Sequence, residues 1–141
     1  GNTIKAEHAF RLMAIAAPYI ELIEEFTLTE MICFHRRLKP LVRNMTTPEL
    51  IKVCQLENSA EKPIKYFSSG MKQRLKLSLA FLTDTQVLLL DEPTSNFDTK
   101  AIDWYLNLME NYTKDRLVII GSNQEYEYGF CEKKLSIADY K

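Results

Sequence analysis

The purely aliphatic run Val87-Leu88-Leu89-Leu90 ends abruptly in Asp91-Glu92-Pro93. Such a run predicts a strand over 86–91, buried on both faces as in a parallel sheet. Leu117-Val118-Ile119-Ile120 predicts a second buried strand, ending at Gly121-Ser122-Asn123. The stretch 9–17, Ala-Phe-Arg-Leu-Met-Ala-Ile-Ala-Ala, predicts a third, short and buried, stopped by Pro18. Helical spacing fills the intervals. Thr27 or Thr29 can cap a helix carrying Met31, Ile32 and Phe34, with His35-Arg36-Arg37 in its last turn and Pro40 as its stop. Thr47-Pro48-Glu49 reads as cap, first helical residue and first-turn acid of a helix continuing through Leu50, Ile51, Val53, Cys54 and Leu56.

Ser68 and Ser69 precede a helix of about 14 residues with Leu75, Leu77, Leu79, Ala80 and Leu82. Leucines at alternate positions also suit a strand, but the length of the run and the interleaved Lys72, Gln73, Arg74 and Lys76 favour a helix, largely buried at its later end. From Thr99 to about Lys114, Ile102, Tyr105, Leu106, Leu108, Met109 and Tyr112 recur every three or four residues, another helix. A short helix through Tyr126 and a last strand near Lys133–Ile137 complete the pattern. Strands alternating with helices give an α/β fold, a mostly parallel sheet flanked by helices. The helices from about 27 to 66, with no strand among them, read as an inserted helical subdomain.

Composition narrows the function. A chain of 141 residues suffices for one domain with a core. With 18 basic and 19 acidic residues the net charge is -1, so no basic footprint for nucleic acid exists. Cys33, Cys54 and Cys131 are odd in number and lack C-x-x-C spacing, which implies reduced thiols. His8 and His35 are flanked by no Cys/His cluster, so metal ligation by them is not expected. No apolar run is long enough to cross a bilayer and no signal peptide is visible, so a membrane role would have to come through a partner. The chain opens on Gly1 and not Met, which suggests a start that is not the native one.

The chemistry sits at the strand ends. Asp91 and Glu92 emerge where a parallel strand stops, the edge at which open α/β sheets bind ligands. Two acids there suit a Mg²⁺–phosphate site, one holding the ion and the other serving as a base; a solvated strand end would look similar. Ser68, Ser69 and Gly70 at a helix start leave backbone N–H groups free for an anion, or form an ordinary cap. Order and spacing decide between these readings. Phe67-Ser68-Ser69-Gly70-Met71-Lys72-Gln73-Arg74, then Val87–Pro93, then Ser95-Asn96-Phe97-Asp98 resemble the signature motif, Walker B strand and D-loop of the ABC ATPase family.

The resemblance implies a P-loop-NTPase-like fold, with signature, Walker B, D-loop and switch region over about 67–141. It implies that Asp91 supports Mg²⁺ and that Glu92 orients and polarises the attacking water. Ser68, Ser69, Gly70 and Met71 would contact the γ-phosphate of an ATP held mainly by a second subunit. Asp98 would act across that interface, or cap the helix at Thr99, or both. Phe67 stands where leucine is usual and Met71 where glutamine is, and Gly-Met-Lys-Gln-Arg resembles the form seen in many exporter-type ATPases. Two further departures lie at phosphate-sensing positions. Tyr19 follows Pro18 where the family has glutamine, and a tyrosine offers a hydroxyl but no amide oxygen. Asn123 stands in place of the switch histidine; it can donate a hydrogen bond but cannot carry a proton.

No G-x-x-x-x-G-K-[ST] loop occurs in the 141 residues. The resemblance therefore starts just before the Q-loop, lacks Walker A, and implies that the 141 residues alone are inactive. The intact subunit would bind Mg-ATP, dimerise head-to-tail and drive a membrane-spanning partner from the cytoplasmic side of the cell membrane. Two alternatives stay open: a soluble, non-transport ABC ATPase, and an assembly or sensor module with slow hydrolysis. Strands missing from the sheet would leave an apolar edge exposed and favour self-association.

Overall fold

A computed structural model describes residues 6–140. Helix α1 (Ala6–Leu12) leads into strand β1 (Met13–Ala16), and α2 (Leu28–Leu38) and α3 (Thr47–Cys54) follow. Then come α4 (Ser69–Leu82), β2 (Val87–Asp91), α5 (Thr99–Tyr112), β3 (Leu117–Gly121) and the short α6 (Glu125–Tyr128). The three strands form one parallel sheet in the order β1-β2-β3. Ala16, Leu90 and Ile120 lie in register, so all three strands finish at the same edge.

Three expectations about element bounds and kind are corrected first. The segment 9–17 is not one strand: residues 6–12 are helical, and the strand begins at Met13. Five of the seven residues in Ala-Glu-His-Ala-Phe-Arg-Leu are good helix formers, Arg11 sits in the last turn, and only four residues remain to pair with β2. Lys133–Ile137 forms no strand; a 3₁₀ turn at Ile137–Tyr140 takes its place. Leu135 and Ile137 are exposed there, so nothing rewards an extended, paired chain. The cap of α3 is Thr46 and not Thr47. Thr46 accepts from the Glu49 N–H at 3.4 Å while Glu49 accepts from the Thr46 N–H at 2.7 Å, a reciprocal capping box. Thr27 and Glu30 make the same box at α2.

Helix α4 lies between two hydrophobic clusters. Leu75, Leu79 and Leu82 join Leu28, Ile32, Leu50 and Ile64 of the helical region. Leu77, Ala80 and Phe81 face the sheet, with Leu88, Leu90, Trp104, Tyr105 and Leu108. A helix buried on two sides is apolar around most of its circumference, which is why its leucines mimic a strand's alternation. The opposite sheet face differs. Ile15, Leu89 and Ile119 form one row across it, and Ile15, Leu117 and Ile119 are 42%, 60% and 53% exposed. β3 is thus an edge strand with one open face, not a strand buried on both.

Thr83 and His35 form a polar pair where α2 meets the end of α4. The Thr83 hydroxyl donates to the Leu79 carbonyl, so it accepts from His35 Nε2 at 2.7 Å. Burial, reinforced by nearby Lys39, pushes the His35 pKa down from 6.5 to about 4. The imidazole is neutral in the fold but charges readily once exposed. Stability from this site is therefore complete above pH 6.5 and drains away as pH falls towards 4, by about 3 kcal/mol. Urea midpoints at pH 7 and pH 4.5 should lie closer together for His35→Gln than for the wild type; equal spacing would refute the assignment. Cys54 is buried and desolvation pushes its thiol pKa up to about 12, so it packs as a small hydrophobe.

Candidate active site at the carboxyl edge of the sheet

The chain leaves β2 through a tight turn. Glu92 adopts φ 43°, a left-handed conformation uncommon for a residue with a side chain. Its N–H donates to the Gly121 carbonyl at 2.8 Å, and the Ser95 N–H donates back to the Glu92 carbonyl at 3.1 Å. The Phe97 N–H then donates to Thr94 at 3.0 Å, and Asn96 is again left-handed. Glu92 is exposed at the apex and Asp91 half-buried at the strand terminus. Non-glycine residues held at positive φ concentrate at functional sites, where surrounding contacts offset the strain.

Asp91 pairs across the sheet with Gly121. A Cβ on Gly121 would sit 3.3 Å from Asp91 Oδ1 and 3.9 Å from the Leu90 carbonyl oxygen. Glycine here gives the Asp91 carboxylate its room. If Asp91 holds Mg²⁺, Gly121→Ala should displace that carboxylate by a few tenths of an ångström and weaken Mg²⁺ binding about tenfold, with little change in melting temperature. A Mg²⁺ titration checks this, and unchanged half-saturation would contradict it.

Helix α4 orients two strand exits. Gln73, buried in its second turn, donates from Nε2 to the Pro93 carbonyl at 2.9 Å. Lys76, one turn further, donates from Nζ to the Pro18 carbonyl at 3.1 Å, and partial burial lowers its pKa. Lys72 pairs with Glu24, just beyond that exit. The start of α4 is thereby fixed against both the β1 and β2 termini. The sequence reading places Gln73 in the signature motif and Lys76 only among the polar residues of the helix, with no tertiary partner for either.

The candidate residues divide into two groups. Asp91 ends β2, and Tyr19, Glu92 and Asn123 follow β1, β2 and β3 along the same edge. Tyr19 is 70% exposed and Asn123 is exposed. Ser68, Ser69, Gly70 and Met71 lie at the start of α4. The Ser68 hydroxyl accepts from the Met71 N–H at 3.2 Å, so it caps the helix, while Ser69 is exposed. Gly70 neighbours the turn after β2: a Cβ there would stand 3.8 Å from the Asn96 carbonyl oxygen. Asp98 caps α5, accepting from the Ala101 N–H at 2.8 Å. Two more residues tie the edge together. Glu127, buried in α6, binds Thr94, and the Tyr105 hydroxyl donates to the Glu127 carbonyl at 3.0 Å. Nothing in Glu125-Tyr126-Glu127 marks Glu127 as the buried one of its two glutamates.

The donor set suits magnesium held jointly with phosphates. Among the described residues no three or more His, Cys, Asp or Glu side chains cluster as a self-sufficient metal cage. Mg²⁺ ordinarily takes one or two carboxylates plus substrate phosphates and water, and adjacent Asp91 and Glu92 can supply that share.

The sequence profile of the ABC transporter family matches residues 10–95, more than half of the chain. The Nod factor export ATP-binding protein I of Burkholderia thailandensis is 33% identical over 100 residues, covering 69% of this chain and 33% of that protein. ATP-binding cassette sub-family A member 17 of Mus musculus is 30% identical over 102 residues, covering 70% of this chain and 6% of that protein. The chain thus spans a third or less of the length of these relatives. Among solved structures, an inward-facing ABC transporter of metal-chelate type superposes with a TM-score of 0.61 at 14% identity, over 83% of this chain and 51% of that one. At that identity the likeness speaks for the fold. Among the described residues no helix is long and apolar enough to cross a membrane.

Proposed function

This chain belongs to the ABC ATPase family of transporters, and from that premise we propose that it is part of an ATP-binding, ATP-hydrolysing subunit of exporter type. One observation carries the reading. The parallel sheet delivers Asp91, Glu92 and Asn123 to one edge, and α4 holds the signature segment against the same turn through Gln73 and Pro93. The Gly-Met-Lys-Gln-Arg segment and the export protein among the relatives support the exporter assignment.

Each residue then has a physical task. Asp91 holds the ion, with Gly121 leaving it space. Bound magnesium neutralises phosphate charge, the main requirement of phosphoryl transfer. Glu92, fixed at the apex by its N–H bond to Gly121, accepts from the attacking water and aims it. Asn123 donates a hydrogen bond to the γ-phosphate without taking a proton. Ser69, Gly70 and Met71 present the α4 N-terminus to a nucleotide held by a second, head-to-tail subunit, while Ser68 keeps that helix start in shape. Asp98 caps α5 and reaches the same interface. Tyr19 offers its exposed hydroxyl to water at the β1 exit. The exposed side chains of Tyr19, Glu21, Glu24, Glu25 and Glu30 form the docking surface for a membrane-spanning partner, with the subunit on the cytoplasmic face of the cell membrane.

The phosphate cradle for ATP is not in these 141 residues, so the test uses the full-length subunit. Sedimentation should show Mg-ATP converting wild-type monomers to dimers and Ser69→Arg remaining monomeric. Dimerisation of Ser69→Arg equal to wild type would refute the shared site. Asn123 and Tyr19 favour one second reading, a slow nucleotide-dependent assembly module. It predicts ATP-dependent dimers that persist for hours instead of reopening through hydrolysis.

A further inference from the structure

We propose that Glu127 is a positioning residue that couples the turn carrying Glu92 to the loop carrying Asn123; the kinetic part of this inference rests on the nucleotide reading above. Glu127 is 1% exposed, and Thr94, its partner, is 5% exposed. Its Oε1 accepts twice from Thr94, from the backbone N–H at 2.8 Å and from the hydroxyl. The Thr94 proton is committed to that carboxylate, so the Tyr126 hydroxyl, 3.0 Å from Thr94 Oγ1, donates to it. α6 is in turn held by the Tyr105 hydroxyl, donating from the core of α5 to the Glu127 carbonyl.

These bonds connect two parts of the candidate site. Thr94 lies two residues after Glu92, and Glu127 four after Asn123. The Glu92 N–H bond to Gly121 ties the same two segments nearer the sheet. The β2 exit and the loop after β3 are therefore joined at two points, and a shift of the second rotates the peptides that aim Glu92. The remaining carboxylate oxygen, Oε2, is buried without a hydrogen-bond partner. Burying a carboxyl group with one oxygen unused is costly, and packing alone gives no reason for it. A single oxygen that accepts from both donors of one threonine does: moving it breaks two hydrogen bonds at once. A phosphate pulling on Asn123 would thereby also set the aim of Glu92.

The test uses the full-length protein with Glu127→Ala, Glu127→Gln and Thr94→Val. Amide hydrogen exchange is read at residues 92–97 and 122–128, with β2 and α4 as internal references. Glu127→Ala should speed exchange about tenfold in both segments while the references hold. It should lower kcat about tenfold and leave the KM for ATP within twofold, since aim and not binding is lost. Glu127→Gln, which keeps an oxygen acceptor, should restore most of both. Should Glu127→Ala not fold, Thr94→Val removes only the hydroxyl link, and the same pattern is expected at smaller size. Faster exchange confined to 122–128, or an unchanged kcat in a turning-over enzyme, overturns the coupling. If the wild type hydrolyses no ATP, the nucleotide reading fails while the exchange result still decides whether the segments are linked.

Discussion

Glu92→Gln in the full-length subunit should lower Mg-ATP turnover by roughly 10²–10³-fold, the usual loss when a positioned general base is removed. Glutamine matches glutamate in size and can occupy the same left-handed apex, so the turn and its bond to Gly121 should survive. What disappears is the negative charge that draws a proton from water. Nucleotide binding should persist, and the ATP-bound dimer should become longer-lived because its exit by hydrolysis is blocked. Steady-state phosphate release and sedimentation with ATP together check this. Turnover within threefold of wild type would remove Glu92 from the chemistry.

The largest stability effect is expected at Phe81. It is fully buried between α4 and the sheet, meets Tyr105 edge-on with ring centroids 6.1 Å apart, and belongs to the cluster of Leu88, Leu90, Trp104 and Leu108. Its own carbonyl accepts from Arg116 Nη1 at 2.7 Å, which anchors the β3 start to the end of α4. Phe81→Ala removes the ring and leaves a cavity that rigid neighbours cannot fill, so a loss of about 3–5 kcal/mol is expected. That is a large share of the 5–15 kcal/mol typical of a domain. Leu38→Ala, at a residue 61% exposed, should cost less than about 0.5 kcal/mol. Paired denaturant melts would show the contrast, and equal costs would contradict the placement of the core.

Much of this was legible where local chemistry and tertiary demand agree. The aliphatic run at 87–90 forms the central strand, although only Leu88 and Leu90 are buried while Val87 and Leu89 are half-buried on the open face, and both capping boxes follow from a threonine three residues before a glutamate. The same rule, applied at Thr46 instead of Thr47, would have placed the start of α3 correctly. The edge bearing Asp91 and Glu92 was readable for a similar reason, because a parallel strand must present its terminal residues there. The errors fell where an element's neighbours decide its state. Leu117–Ile120 looks like an interior strand by composition, yet its burial depends on what lies against β3. Leu135 and Ile137 look like strand residues but have no cover. Gln73, Lys76 and Glu127 bind backbone or side chains 20 to 58 residues away, and sequence spacing carries no trace of such pairings.

The most direct test of the central claim compares Mg-dependent ATP hydrolysis by the 141 residues alone with hydrolysis by a longer chain that includes a G-x-x-x-x-G-K-[ST] loop upstream. The account predicts turnover by the longer chain and none by the shorter, because the acids proposed for catalysis, Asp91 and Glu92, lie here and the phosphate cradle does not. Equal hydrolysis by both, or none by the longer chain with Glu92 intact, would contradict it.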